Sequence, residues 1–287
     1  MRVRSGLVLE CVPNVSEGRD DRVIAALVDA CGPSLLDVHR DSDHHRSVFT
    51  IAGPGPRDAV GAVQALARVA GELIDIRTHR GVHPRLGALD VVPFVAFDEP
   101  RQAAVDAAIA FADWVAAALR LPVFLYDRAD PAGRTLPEAR RDAFVRRSPD
   151  RGPTAPHPRL GAVAVGARPP MIAVNCWLDT RDLPLAREVA TSVRERDGGL
   201  PGVRALAFTL DEGGATQVAM NLVDLERTGL EEACTAVRRR VEAAGSHVTR
   251  VEVVGLVPAA ELAGCSQPFL DWAGLGPDLT IEGRLAR

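Results

Sequence analysis

The chain has 287 residues, of which 47% are hydrophobic and 25% are charged, and its formal net charge is −4. This balance is typical of a globular protein with a sizeable core, and so weak a charge argues against a nucleic-acid or membrane partner. The sequence lacks a run of about 18 apolar residues, its apolar N-terminal run is too short for a signal peptide, and its five cysteines form no CxxC pair. We therefore expect a cytoplasmic protein without disulfides or a structural zinc site.

Hydrophobic periodicity predicts strands and helices in alternation along the chain. The first half is expected to contain, in order, a strand at 7–12, a helix at 23–31, strands at 34–38 and 47–52, a helix at 58–73, a strand at 88–97, a helix at 99–119 and a strand at 122–126. The second half is expected to contain a helix at 137–146 within a polar surface excursion, strands at 161–166 and 171–175, a helix at 183–196, strands at 203–210 and 216–222, a helix at 225–244, a strand at 251–255 and short helices over 258–272.

This order of elements indicates a fold class and a domain boundary. Strands often follow one another in pairs, which favours α+β layers over a doubly wound parallel sheet. Pro169 and Pro170 must interrupt regular structure. We therefore expect two domains, residues 1–168 and residues 169–287.

One hexapeptide occurs twice in the chain. The run His-Pro-Arg-Leu-Gly-Ala at 83–88 recurs at 157–162. In both copies a proline-containing loop leads through a glycine into an apolar strand. The histidine and the arginine of the loop therefore lie just before the start of that strand. Two such loops could face each other across one cleft, or the chain could simply reuse a loop-to-strand entry whose polar residues are solvated.

Histidine is the densest chemical signal in the first 157 residues, which hold six of the seven histidines. Imidazole titrates near neutral pH, so a positioned histidine can accept and return a proton. Bound metal is the alternative reading of the cluster, although its spacing matches no known ligand signature. The six histidines are His39, His44, His45, His79, His83 and His157. The metal reading would use the first five of these, with Asp37, Asp41 or Asp43 as carboxylate ligands.

All 34 basic residues are arginine, and several flank the histidine-containing loops. The guanidinium group forms forked bonds with carboxylates, so Arg46, Arg80, Arg85 and Arg159 suit a substrate with several carboxylates. The chain has neither a GxSxG elbow nor a GxGxxG or GxxxxGK[ST] run. The sequence therefore does not favour a serine hydrolase or a nucleotide-binding protein.

Eight segments, in order along nearly the whole chain, resemble the formiminotransferase family, the folate-dependent glutamate formimidoyltransferases. The most specific are the VPNVSEG run at 12–18 and the HPRLGALDV run at 83–91. The matching segments lie at 10–18, 35–38, 46–50, 81–91, 152–154, 161–168, 217–222 and 254–258.

The resemblance implies a fold and a reaction. Two similar α/β subdomains would stack their mixed sheets face to face, with the helices outside, around a folate-binding groove. The enzyme would move a formimino group from N-formiminoglutamate to N5 of tetrahydrofolate, a step of histidine degradation and one-carbon metabolism. Tetrahydrofolate would be a co-substrate, no metal is expected, the protein would form a homodimer, and the chain would lack the cyclodeaminase domain of the bifunctional animal enzymes.

The resemblance also implies roles for individual residues, with His83 as the general base and acid. The residues expected to bind the donor substrate are Asn14, His39, Arg46 and Arg85. The residues expected to bind folate are Gly152, Pro153, Thr154, His157, Arg159, Leu160 and Gly161.

The sequence departs from the family pattern within the expected site. His39 occupies the position of a family acidic residue that assists the catalytic histidine, so we expect His83 to be less basic here. Asp41 or Asp43 could substitute for it. Three alternatives to formimino transfer therefore stay open: formyl transfer from N-formylglutamate in the same groove, a metal-dependent hydrolase built on the histidine-rich loop, and a non-catalytic protein that binds folate-like or acidic ligands.

Overall fold

The computed structural model describes residues 9–53, 56–81, 84–97, 101–210 and 215–287. The chain divides into two compact units, residues 1–168 and residues 169–287. Each unit has a hydrophobic core of its own. Within the described residues, no helix is both long enough and apolar enough to cross a membrane.

A mixed sheet forms the centre of the first unit. Its strands are β1 (Leu9–Cys11), β2 (Asn14–Val15), β3 (Leu35–Asp41), β4 (Arg46–Gly53), β5 (Leu89–Ala96), β6 (Val123–Asp127) and β7 (Val163–Ala167). Strand β3 lies antiparallel to β4, and the short strands β1 and β2 lie antiparallel between β4 and β5. Strand β7 runs parallel to both β5 and β6. The strands thus bring the chain segments around residues 14, 46 and 90 next to one another.

Three long helices pack against one face of this sheet. They are α1 (Asp21–Cys31), α2 (Pro56–Leu73) and α3 (Gln102–Ala118). Helix α1 begins where the Asp20 carboxylate accepts the backbone N–H groups of Arg22 and Val23, as an N-cap does. Phe49, Phe94 and Phe111 are fully buried in the core between the helices and the sheet.

A short fourth helix, α4 (Leu136–Asp142), packs against the opposite face. A capping box starts it, in which the Glu138 carboxylate accepts the Thr135 N–H at 2.8 Å. Ala139 of this helix packs on the buried ring of Tyr126. The helix ends before the predicted residue 146, because the chain becomes extended at Ala143 and Phe144 has a φ of +60°.

The second unit contains a four-stranded antiparallel sheet in the order β11-β8-β10-β9. Its strands are β8 (Ile172–Leu178), β9 (Val203–Thr209), β10 (Thr216–Leu222) and β11 (Val248–Val254). Its helices are α5 (Leu183–Val193), α6 (Leu230–Ala243), α7 (Ala259–Gly264), α8 (Gln267–Ala273) and α9 (Ile281–Leu285). Alternate strand residues such as Val174, Cys176 and Val218 are buried with residues of α5 and α6.

The predicted α+β class is confirmed, with a mixed sheet in the first unit and an antiparallel sheet in the second. The helix predicted at 225–244 begins at Leu230 instead, because the Arg227 and Thr228 N–H groups bond to the Asp224 carbonyl in a turn. The helix predicted to reach residue 196 ends at Val193. The face-to-face stacking of the two sheets stays a prediction.

Candidate functional site

The two copies of the repeated hexapeptide lie against each other in the first unit. Their glycines form an antiparallel bridge. The Ala88 N–H donates to the Leu160 carbonyl at 2.9 Å, and the Ala162 N–H donates to the Leu86 carbonyl at 3.0 Å. The donors occupy equivalent positions in the two copies, and so do the acceptors, so the two loops pair reciprocally. The two loops therefore lie in direct backbone contact, and the hypothesis that they face each other across one cleft stays a prediction.

Only glycine fits at the centre of this pairing. A Cβ atom on Gly87 would lie closer than 3.0 Å to the Ala162 and Leu160 carbonyl oxygens. A Cβ atom on Gly161 would lie equally close to the Leu86 oxygen, and Gly161 has a φ of +73°, which L side chains rarely adopt. The repeated glycine is therefore required by backbone contact.

In the second copy of the repeat, the polar side chains support the fold. His157 Nδ1 accepts the N–H groups of Arg159 at 3.2 Å and Leu160 at 3.1 Å, which leaves the ring proton on Nε2. Arg159 donates to the Gly71 carbonyl and, at 3.2 Å, to the Glu72 carbonyl, at the C-terminal end of α2. Such contacts satisfy the last carbonyls of a helix and favour its dipole.

The other residues expected to bind folate differ in accessibility. Leu160 is 4% exposed and belongs to the hydrophobic core. Gly152 and Thr154 are exposed, and Pro153 is half-buried. A ligand at this segment could therefore reach the backbone around 152–154 more readily than the Leu160 side chain. The folate contacts themselves stay a prediction.

The buried carboxylate of Asp90, two residues after the first copy of the repeat, connects β5 to β4 and to α4. Asp90 is fully buried, forms ion pairs with Arg46 and Arg140, and accepts the Leu86 N–H at 2.6 Å. Arg46 also donates through Nε to the Asn14 side-chain oxygen at 3.0 Å. Two of the predicted substrate-binding residues, Asn14 and Arg46, are thus brought together by β2, β4 and β5.

This cluster has an excess of positive charge. Burial alone would raise the pKa of Asp90, but the charges of Arg46 and Arg140 outweigh it and hold that pKa below its usual value. Burial lowers the pKa of Arg46, and Asp90 opposes the shift. The carboxylate is therefore ionised, and two guanidinium groups surround a single negative charge. Such a region attracts anions.

Arg140 and Asp90 are residues that the sequence analysis did not single out. Arg140 comes from α4, inside the segment expected to be a surface excursion, and it also donates to the Pro84 carbonyl at 3.0 Å. Asp90 is part of the HPRLGALDV run that resembles the family. An acidic residue inside an otherwise apolar strand was the available signal, because a buried carboxylate needs cationic partners.

Arg85, another predicted substrate-binding residue, contacts two histidine-containing segments. Its guanidinium donates to the His79 ring and, at 3.4 Å, to the His44 carbonyl. Burial, and then the charges of Arg85 and His45, lower the pKa of His79 to about 4. Since arginine can only donate, the His79 ring must accept, so it is neutral.

His45 is also held as a neutral ring. Its Nδ1 accepts the Gly18 N–H at 3.0 Å, so that nitrogen carries no proton and the Glu17 carboxylate 3.4 Å away makes no ion pair with it. Burial lowers the pKa of His45, and the Glu17 charge opposes the shift. The His45 and His79 rings stack with centroids 3.8 Å apart. These two histidines form one uncharged aromatic surface beside Arg85.

His44 has a carboxylate partner. Its Nδ1 lies 2.6 Å from an oxygen of Asp41, whose other oxygen accepts the His44 N–H at 2.7 Å. Burial raises the pKa of Asp41, but these hydrogen bonds outweigh it and the pKa is lowered. His39 is half-buried on β3 opposite Val48. Among the described residues, no three His, Cys, Asp or Glu side chains are grouped to hold a metal ion.

His83, the predicted general base, lies outside the described residues, as does Val82. The residues on either side are described. A Cβ atom on Gly81 would lie closer than 3.0 Å to the His44 carbonyl oxygen, so the chain there passes directly against the histidine-rich loop. Pro84 accepts the hydrogen bond from Arg140.

The second unit presents polar groups on the sheet face opposite its core. Glu252 accepts hydrogen bonds from the Trp177 indole at 3.0 Å and the Asn175 amide at 3.3 Å, and Arg250 lies over the Trp177 ring. Gln217 is fully buried, and its amide has no hydrogen-bond partner within the described part of the chain. A buried amide in that state is suited to a water molecule or a polar ligand.

Comparison with known proteins covers both units. Residues 8–168 match the N-terminal subdomain of the formiminotransferase domain, and residues 173–275 match the formiminotransferase domain. The glutamate formimidoyltransferase of Streptococcus pyogenes serotype M1 is 35% identical over 92% of this chain and 93% of its own length. The enzyme of that name from Thermoplasma acidophilum is 34% identical over 98% of both chains. The formimidoyltransferase-cyclodeaminase of Sus scrofa is 38% identical, over 89% of this chain but 51% of its own length. The chain therefore belongs to the formiminotransferase family of transferase enzymes.

Proposed function

We propose that this protein transfers a formimino group from N-formiminoglutamate to N5 of tetrahydrofolate, with His83 as the general base and acid. The observation that carries the proposal is the similarity, over almost the whole of each chain, to two glutamate formimidoyltransferases. The HPRLGALDV run around His83 lies within the matched region.

The chemistry requires one group that both accepts and donates a proton. N5 of tetrahydrofolate attacks the amidine carbon of the donor, and a new C–N bond forms. In our proposal the His83 imidazole takes the proton from N5 and delivers it to the glutamate nitrogen as the old C–N bond breaks. The proton returned equals the proton taken, so the step needs no other reagent. An imidazole suits this exchange near neutral pH.

Arg46 and Arg85 support binding of a dicarboxylate donor. Arg46 contributes positive charge while Asp90 and Asn14 hold its side chain. Arg85 contacts the His79 ring and the His44 carbonyl, which places its guanidinium beside the loop that precedes β4. Because a guanidinium forms forked bonds with carboxylates, we propose that Arg85 binds a donor carboxylate. Asn14 and His39 stay proposed contacts of the same substrate.

Tetrahydrofolate is proposed as the co-substrate, and the backbone at 152–154 suits contact with it best. Gly152 and Thr154 are exposed, and Gly152 has a φ of +78° with its Cα against the Leu121 carbonyl, so its place permits no side chain. His157 and Arg159 hold the loop that follows. We propose that Gly152, Pro153 and Thr154 contact folate, and that the other predicted folate residues, Leu160 and Gly161 included, act by shaping this loop.

The experiment is a turnover assay with tetrahydrofolate and N-formiminoglutamate, run in parallel with N-formylglutamate. We expect faster transfer from the formimino donor. Faster transfer from the formyl donor would replace the proposed substrate, and absence of turnover with both donors would overturn the transferase function. Elemental analysis of the same sample tests the hydrolase hypothesis, which requires about one tightly bound metal ion per chain.

A further inference from the structure

We propose that Arg140 and Asp90 are positioning residues, which together hold the backbone that follows His83 and so set the rate of transfer. This inference rests on the proposed function. It assigns a role to α4 and to a buried ion pair, neither of which the family resemblance had indicated.

The geometry links this pair to two consecutive anchor points. Arg140 donates to the Pro84 carbonyl at 3.0 Å, and Asp90 accepts the Leu86 N–H at 2.6 Å. The two side chains bond to each other as well. Pro84 and Leu86 are the first and third residues after His83. One cross-linked pair therefore fixes the chain on the C-terminal side of the proposed base.

Both anchoring side chains extend from regular secondary structure. Asp90 is fully buried on β5, and its second cationic partner, Arg46, lies on β4. Arg140 extends from a helix whose first turn is closed by the Thr135 and Glu138 capping box. Ala139, the preceding residue, is fully buried against the sheet. We call the bonded pair of Arg140 and Asp90 the clamp; the sheet holds one of its side chains and α4 holds the other. Loss of the clamp would therefore release the backbone at 84–86 without removing an element of the core.

A loosened base lowers the rate of reaction more than it lowers affinity. A misplacement of about 1 Å at a reacting group can cost roughly a hundredfold in rate. We therefore expect Arg140→Ala to lower kcat by about 10- to 100-fold while KM for both substrates changes by less than about threefold. Addition of guanidinium ion at low millimolar concentration should restore part of the kcat of Arg140→Ala, because the ion can occupy the vacated place.

Arg141→Ala is the matched control. Arg141 is the next residue on α4, its side chain is 58% exposed, and it pairs with the neighbouring Asp142. We expect its kcat to equal that of the wild type. Arg140→Lys keeps the charge but lacks the fork needed to bond two acceptors at once, so it should lie between Arg140→Ala and the wild type.

Amide hydrogen exchange at Leu86 tests the clamp independently of activity. We expect strong protection in the wild type and in Arg141→Ala, and at least tenfold faster exchange in Arg140→Ala and Asp90→Asn, at temperatures where all variants remain folded by circular dichroism. If Asp90→Asn does not fold, Arg140→Lys supplies the second comparison. If the wild type shows no formimino transfer, the proposed function fails, and the exchange rates alone still decide whether the clamp exists.

Two results would overturn the inference. One is Arg140→Ala with Leu86 exchange and kcat equal to those of Arg141→Ala. The other is a loss of kcat in Arg140→Ala with unchanged Leu86 exchange, since Arg140 would then act through its charge on the substrate and not through the loop.

Discussion

The pairing of the two repeated loops predicts a large effect from a very small substitution, Gly161→Ala. Gly161 lies where the loops bridge, with a φ of +73° and its Cα close to the Leu86 carbonyl. Gly133 is the control, because its φ is +64° and no atom of the described residues lies within 4 Å of the Cβ that a substitution would add. Both substitutions impose the same backbone strain, but only the first also introduces a clash.

The two contributions can be estimated separately. An alanine in the left-handed region costs about 1–2 kcal/mol, and this applies to both variants. In Gly161→Ala the loops must also separate, which weakens the hydrogen bonds from Ala88 and Ala162, each of which stabilises the fold by about 1 kcal/mol. We therefore expect Gly133→Ala to lower the free energy of unfolding by about 1–2 kcal/mol, and Gly161→Ala by about 3–4 kcal/mol.

Urea denaturation followed by circular dichroism measures this difference. A difference of about 2 kcal/mol between the variants corresponds to a midpoint for thermal unfolding roughly 4–8 °C lower for Gly161→Ala, given the size of the first unit. Equal destabilisation by the two substitutions would refute the argument, because it would mean that the contact between the loops adds nothing to the strain of the turn.

Three further predictions concern the first unit. Gly61 lies exposed inside α2, and outside its own helix backbone no atom in the described part of the chain lies within 4 Å of the Cβ that alanine would add. Gly61→Ala should therefore raise the free energy of unfolding by about 0.5–1 kcal/mol, and a lower free energy of unfolding in urea would contradict this. Arg159→Ala removes the two donors that bond to the carbonyls of Gly71 and Glu72 at the end of α2, and it should lower the free energy of unfolding by about 1–2 kcal/mol. Arg159→Lys should cause a smaller loss. Equal stability of Arg159→Ala and the wild type would mean that these two bonds do not stabilise the end of α2. The pKa of His79 is about 4 in the fold and roughly 6.5 in an unfolded chain, so between these values the unfolded chain binds a proton that the folded chain does not. Stability should therefore be complete above about pH 6.5 and fall as the pH is lowered towards 4, and His79→Gln should make that fall less steep; an unchanged slope would argue against a buried neutral ring.

The repeated hexapeptide shows what could be predicted from the sequence. Its periodicity and its glycine indicated two equivalent loop-to-strand entries, and the two loops do pair. The role of His157 and Arg159 could not be predicted in the same way. The partner of Arg159 is the carbonyl of Gly71, 88 residues earlier in the chain, and only the packing of α2 brings it close.

The two neighbouring arginines of α4 also show that long-range contacts could not be predicted from the local sequence. An arginine in a polar segment is usually a solvated surface residue, and Arg141 is one. Arg140 beside it bonds to a fully buried carboxylate, 50 residues away in sequence. The two differ in environment because one side of α4 faces the sheet and the other faces solvent. Local sequence does not reveal which side is which when the helix is only seven residues long.

Helix ends were also predicted less well than helix positions. The predicted start of the sixth helix at residue 225 included a turn, although Thr228 and Gly229 are weak helix formers and favour a start after them. The structure starts the helix only after Gly229, where the Glu261 carboxylate accepts the Leu230 N–H at 2.6 Å. A cap supplied from a distant part of the chain leaves no local signal.

The most direct test of the central claim is the kcat for formimino transfer to tetrahydrofolate by His83→Asn, measured beside the wild type at saturating N-formiminoglutamate. Loss of a general base and acid predicts a kcat about 100- to 10,000-fold below that of the wild type, with the fold unchanged by circular dichroism. A His83→Asn enzyme that turns over at a rate close to that of the wild type would contradict the proposed role of His83.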